Sequence, residues 1–126
     1  VERVNKAHKN IGDLKKSLIS GDLESFIHIV EEEALMLHAL MMTSKTPYIL
    51  FKPNTIQIIN EVWSFRKETN HNLCFTLDAG ANVHLLYPKN EEIEIKTFIE
   101  KNLSKFCNNK KYIHDLIGDG PKPINE

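Results

Sequence analysis

The stretch Phe75-Thr76-Leu77-Asp78-Ala79-Gly80-Ala81-Asn82-Val83-His84-Leu85-Leu86 decides how this chain folds. Apolar and polar residues alternate up to Asp78, a turn of small residues follows, and a second apolar run returns. That pattern is an antiparallel hairpin. An acid at the tip of a hairpin is held by rigid elements yet open to a cleft, which suits a carboxylate acting on a substrate hydroxyl. The same residues are also ordinary turn chemistry, since Asp, Gly and Asn are what a bend between strands uses. Local sequence leaves both readings standing.

Working outward, Leu73, Phe75 and Leu77 set the first strand, and Val83 to Tyr87 its partner, stopped by Pro88. Ahead of the hairpin, Ile56, Ile59, Val62, Trp63 and Phe65 mark a helix that ends near Thr69-Asn70, with Asn54 and Gln57 resembling a capping box at its start. Behind it, Asn90 is the expected cap of a helix carrying Ile93, Ile95, Phe98, Ile99 and Leu103. Tyr48 to Lys52 reads as an edge strand closed by Pro53, and Tyr112 to Ile117 as a last apolar strand. Strand, helix, strand, strand, helix, strand is the ferredoxin-like split βαβ order, an α+β fold whose antiparallel sheet carries its helices on one face.

Two helices precede that unit. Val1, Val4, His8, Ile11, Leu14 and Leu18 recur at three- and four-residue steps, predicting an amphipathic helix ended by Gly21. Asp22 is a good N-cap for the next, whose apolar stripe runs through Leu23, Phe26, Ile27, Val30, Ala34, Leu37, His38 and Met41. Glu31, Glu32 and Glu33 point in three directions on such a helix, which argues against a metal site and for a solvated face. Val1 enters directly into a helical pattern, so a longer protein is expected to begin upstream.

Composition narrows the function. The chain has 126 residues, the size of a single domain, and its formal net charge is -1, which gives no basic field to recruit nucleic acid or an anionic membrane. No run approaches the ~20 apolar residues of a membrane span. Cys74 and Cys107 are too few and too far apart for a disulfide framework, and Cys74 reads as a reduced core residue of a cytoplasmic protein. Six histidines show no HxxxH or HxH spacing, so no metal site is expected. No phosphate-cradling GxxxxGK[ST] or GxGxxG loop is present. His38 on its apolar stripe reads either as a buried, hydrogen-bonded ring or as a site residue. Asp78 is the one strong candidate for chemistry.

Asp22-Leu23-Glu24-Ser25-Phe26, Glu33-Ala34-Leu35-Met36-Leu37-His38-Ala39, Met42-Thr43-Ser44 and Thr76 to His84 together resemble the C-terminal domain of diphosphomevalonate decarboxylases. These enzymes belong to the superfamily of galacto-, homoserine, mevalonate and phosphomevalonate kinases. The resemblance runs from about Arg3 to about Gly120, and the aspartate hairpin is its most specific part. It implies the ferredoxin-like fold again, and an ATP- and Mg²⁺-dependent reaction. In that reaction the 3-hydroxyl of mevalonate diphosphate is phosphorylated, and phosphate and carbon dioxide then leave to give isopentenyl diphosphate.

By this resemblance Asp78 matches the catalytic aspartate, Ala79, Gly80 and Asn82 form the turn that aims it at substrate, and His38 is a substrate-site residue. Ala81 stands where the family usually has proline, which leaves the phosphorylated mevalonate that is the true substrate open. The resemblance also implies a partner N-terminal domain that holds ATP and the metal, and pairing of subunits into homodimers. Two alternatives remain: a small-molecule kinase of the same superfamily, separable by the absence of carbon dioxide release, and a non-catalytic ferredoxin-like module that binds a ligand on its own.

Overall fold

Gly21 adopts a left-handed conformation (φ 74°), which costs little without a Cβ, and it separates helix α1 (Glu2–Ser20) from helix α2 (Leu23–Met42). The Asp22 side chain accepts from the Ser25 N–H at 3.1 Å and from the Ser25 hydroxyl at 2.7 Å, so α2 starts where the sequence indicates. In the computed structural model, which describes residues 1–124, two further helices and a two-stranded hairpin form the body. They are helix α3 (Pro53–Thr69), a hairpin of strands β1 (Cys74–Leu77) and β2 (Val83–Leu86), and helix α4 (Glu92–Phe98), which runs on through a π turn at Ile99–Leu103. No helix among the described residues is long and apolar enough to cross a membrane.

The hairpin is antiparallel, pairing Cys74 with Leu86, Phe75 with Leu85, Thr76 with His84 and Leu77 with Val83. Alternation then puts Phe75, Leu77, Val83 and Leu85 on the core face. They pack with Ala34 of α2, Ile59 and Val62 of α3, Ile95 and Phe98 of α4, and Ile99 and Leu103 of the π turn. Phe65 and Phe98 stack at 4.0 Å and lock α3 to α4. Glu31 of α2 accepts the Phe75 N–H at 3.4 Å, so α2 covers the edge of β1 that faces away from β2.

The α+β class, the hairpin and the two leading helices stand as read from sequence. The outer two of the four expected strands do not form among the described residues, where the sheet has two strands. Tyr48 to Lys52 is occupied otherwise: the Tyr48 N–H donates to the Met41 carbonyl, and the Phe51 ring stacks on His38. Tyr112 to Ile117 has no regular structure, with Ile113 and Ile117 fully exposed. With the β1 edge under α2, neither segment has a strand to pair with except at the open edge of β2.

Helix starts differ in detail. Pro53 occupies the first turn of α3, and Thr55 rather than Gln57 reaches back to accept the Lys52 N–H at 3.2 Å. Asn54 instead donates to the Phe106 carbonyl. A 3₁₀ turn at Lys89–Glu91 precedes α4, so Asn90 is not its cap.

The largest correction concerns α1 and the glutamates. The face of α1 that meets α2 is polar: Asn10 and Ser17 are buried, while Val4, Ile11 and Leu18 are more than half exposed. Glu33 explains this, because it takes Arg3 and Asn10 as donors while Glu32 pairs with Lys6. Glu31 lies in the buried stripe Ile27, Glu31, Ala34, His38. All three glutamates therefore bind partners, and none forms a solvated face.

Candidate active site at the hairpin tip

Asp78 follows β1 directly, and its side chain is 47% exposed. The backbone beneath it is pinned from two sides. From α2, His38 Nε2–H donates to the Asp78 carbonyl oxygen at 2.9 Å. That ring is 1% exposed and stacks on Phe51 with centroids 4.4 Å apart and planes at 10°. From α3, the buried Thr55 hydroxyl donates to the Ala81 carbonyl at 2.9 Å while accepting the Lys52 N–H. Two helices thus grip the tip through its carbonyls and leave the carboxylate free.

Two neighbours flank the carboxylate itself. A Cβ placed on Gly80 would lie 3.0 Å from Asp78 Oδ1, so the acid folds over a space that only glycine leaves open. Oδ2 lies 3.7 Å from Nε2 of His84. Ala79 and Asn82 are exposed beside them. Asp78, Ala79, Gly80 and Asn82 therefore sit together at the surface, with His38 behind them as a buried support.

Sequence reasoning missed Thr55 and His84. Thr55 reaches Ala81 across 26 residues, and nothing local signals such a contact. His84 was legible in principle, since Asp78 lies two residues beyond Thr76 and His84 is the cross-strand partner of Thr76.

Elsewhere the ionisable groups are structural. Glu31 accepts from Arg66 at 2.6 and 3.0 Å and from Trp63 Nε1 at 3.0 Å. Hydrogen bonding to Glu31 raises the Arg66 pKa against the opposing effect of burial. Burial pushes the Cys74 thiol up to about 12, which makes it an inert core group. An open groove lined by His28, Glu31, Arg66 and His71 lies at the other end of α2 from His38, away from Asp78. No cluster of three or more His, Cys, Asp or Glu able to hold a metal occurs among the described residues.

The family model described as the mevalonate 5-diphosphate decarboxylase C-terminal domain matches residues 2–123. The chain belongs to this family. A curated relative from Haloferax volcanii, a phosphomevalonate decarboxylase, is 30% identical over 83 residues, which are 66% of this chain and 26% of that protein. Among solved structures, a mevalonate diphosphate decarboxylase from Legionella pneumophila is 29% identical with a TM-score of 0.75, covering 81% of this chain and 32% of that one. The Enterococcus faecalis enzyme, 24% identical with a TM-score of 0.74, shares the fold over 81% of this chain and 32% of its own. The chain thus spans about a third or less of the relatives it matches.

Proposed function

We propose that this decarboxylase domain is the C-terminal lobe of a two-domain cytoplasmic enzyme. That enzyme converts mevalonate diphosphate and ATP to isopentenyl diphosphate, ADP, phosphate and carbon dioxide, with Asp78 placed at the 3-hydroxyl. The observation that carries the reading is the Asp78 carboxylate, half-exposed on a tip whose backbone is fixed by His38 and Thr55. A fixed carboxylate can accept the hydroxyl proton or align the oxygen for in-line attack on phosphorus. Ala79 and Gly80 leave room for substrate, Asn82 offers an exposed amide to it, and His38 acts from behind through the Asp78 carbonyl. In this reading, as the family resemblance implies, ATP and Mg²⁺ are held mainly by an N-terminal lobe.

A second reading concerns the substrate. The Haloferax volcanii relative is a phosphomevalonate decarboxylase, which favours a monophosphate ester as the alternative. The first discriminating experiment is turnover of the full-length protein with each ester, following carbon dioxide and phosphate release. Asp78→Asn should lower kcat by ~10²–10⁴-fold, the range for loss of a positioned general base. Near wild-type decarboxylation by that variant would remove Asp78 from the mechanism.

A further inference from the structure

We propose that His84 is a positioning residue for Asp78, setting the plane and the charge state of its surroundings during turnover. This rests on the reading of Asp78 as the group that acts at the substrate hydroxyl. β2 presents His84 directly opposite Thr76, on the same face of the hairpin from which Asp78 emerges two residues further on. Each oxygen of the Asp78 carboxylate then meets a different feature. Oδ1 lies over the space above Gly80, and Oδ2 faces His84 Nε2 at 3.7 Å. Gly80 leaves room for Oδ1, and His84 is the side chain placed to favour one orientation of the carboxylate, which backbone pinning by His38 and Thr55 alone leaves free to rotate.

The side chain of His84 is also of a kind that can carry charge. Imidazoles gain or lose a proton between about pH 5 and 8. An imidazolium at His84 draws the Asp78 charge toward Oδ2 and weakens its pull on a hydroxyl proton; the neutral ring releases it. In open solvent this pair is worth little, with side chains 57% and 47% exposed. Covering the tip with substrate lowers the local dielectric and strengthens it. The other groups packed on the tip do not compete: α2 contributes His38, which is committed to the Asp78 carbonyl, and α3 contributes the neutral Thr55. Among the described residues, the His84 imidazole is the basic group within 4 Å of the Asp78 carboxylate.

The test uses the full-length enzyme and its His84→Gln variant, which keeps a hydrogen-bonding side chain but does not titrate. Rates are measured from about pH 5 to 9, across the imidazole range. The wild-type kcat profile should show an ionisation in that range that disappears in His84→Gln, with kcat at neutral pH reduced about 3- to 10-fold and KM for ATP unchanged. A second variant, His84→Lys, fixes a positive charge and should give a flat profile near the low-pH rate of the wild type. Superimposable wild-type and His84→Gln profiles, with Asp78→Asn inactive, would overturn the role of His84 alone. An active Asp78→Asn enzyme would overturn both this role and the reading beneath it.

Discussion

Nε2 of His38 lies 2.9 Å from the carbonyl oxygen of Asp78, forty residues away in sequence. The bond ties the buried stripe of α2 to the hairpin at the point where the chain leaves β1. Because the acceptor is a carbonyl, Nε2 carries the proton, and the ring is held flat against Phe51 while it donates. The acid side chain takes no part in this contact, so its support and its chemistry are separate.

Replacing His38 with alanine removes both the stacked ring and the hydrogen bond from a site with 1% exposure. The expected cost is about 2–4 kcal/mol, from the cavity and the unpaired carbonyl together. Urea unfolding should report it as a lower midpoint with unchanged m-value. In the full-length enzyme, kcat should fall at least about tenfold through the loosened tip, measured at a temperature where the variant remains folded.

Gly80→Ala separates support from chemistry in the other direction. The added methyl meets Asp78 Oδ1 at 3.0 Å, the mobile end of a side chain, and touches no other part of the fold so closely. Stability should stay within about 0.5 kcal/mol of the parent, as for surface changes. Turnover should nonetheless drop by about tenfold or more, because the carboxylate must swing away from its position. A thermal melt beside a rate measurement checks both halves.

Glu31 is the most committed acid in the domain, gripping Arg66, Trp63 and the edge of β1. Glu31→Ala leaves the Arg66 guanidinium without its carboxylate in a largely buried setting. Loss of one partner of such a pair costs about 3–5 kcal/mol. The double variant Glu31→Met, Arg66→Met should recover part of that loss in denaturant titration, since it strands no charge.

Acid stability should depend on Glu91 and Glu33. Burial works against ionisation of Glu91, but hydrogen bonds from His71 and Asn72 outweigh it and the pKa falls below 4.5. Glu33 behaves alike: burial opposes, and Arg3 and Asn10 prevail. A lowered folded-state pKa contributes stability above the unfolded value and loses it as pH drops through the folded one. Glu91→Gln and Glu33→Gln should therefore be less stable at neutral pH and lose less on going from pH 5 to below 4, a shallower slope in pH-dependent denaturation.

The sequence made some of this legible and hid the rest for identifiable reasons. The Gly21-Asp22 junction and the Asp78 turn were readable because a left-handed glycine, a side-chain cap and a bend are local chemistry. Tyr48 to Lys52 and Tyr112 to Ile117 misled because an apolar run becomes a strand only beside a partner edge, which lies outside the run itself. The face of α1 was misjudged for a related reason. Its apolar stripe suggested the buried side, whereas Glu32 and Glu33 on α2 demanded the polar one. Glu31 carried a readable signal, since it completes the i, i+4 spacing from Ile27 and leads on to Ala34 and His38, and its charge concealed it.

Helix α2, at 20 residues, is a rod about 30 Å long. It is capped at Asp22, clamped to the body at Glu31, and fastened to the hairpin at His38. The position of the Asp78 backbone is therefore inherited from the placement of this rod as well as from the turn that bears it. Any load that rocks the rod about its Glu31 fulcrum moves the acid, so substitutions well away from the tip should register as altered catalysis.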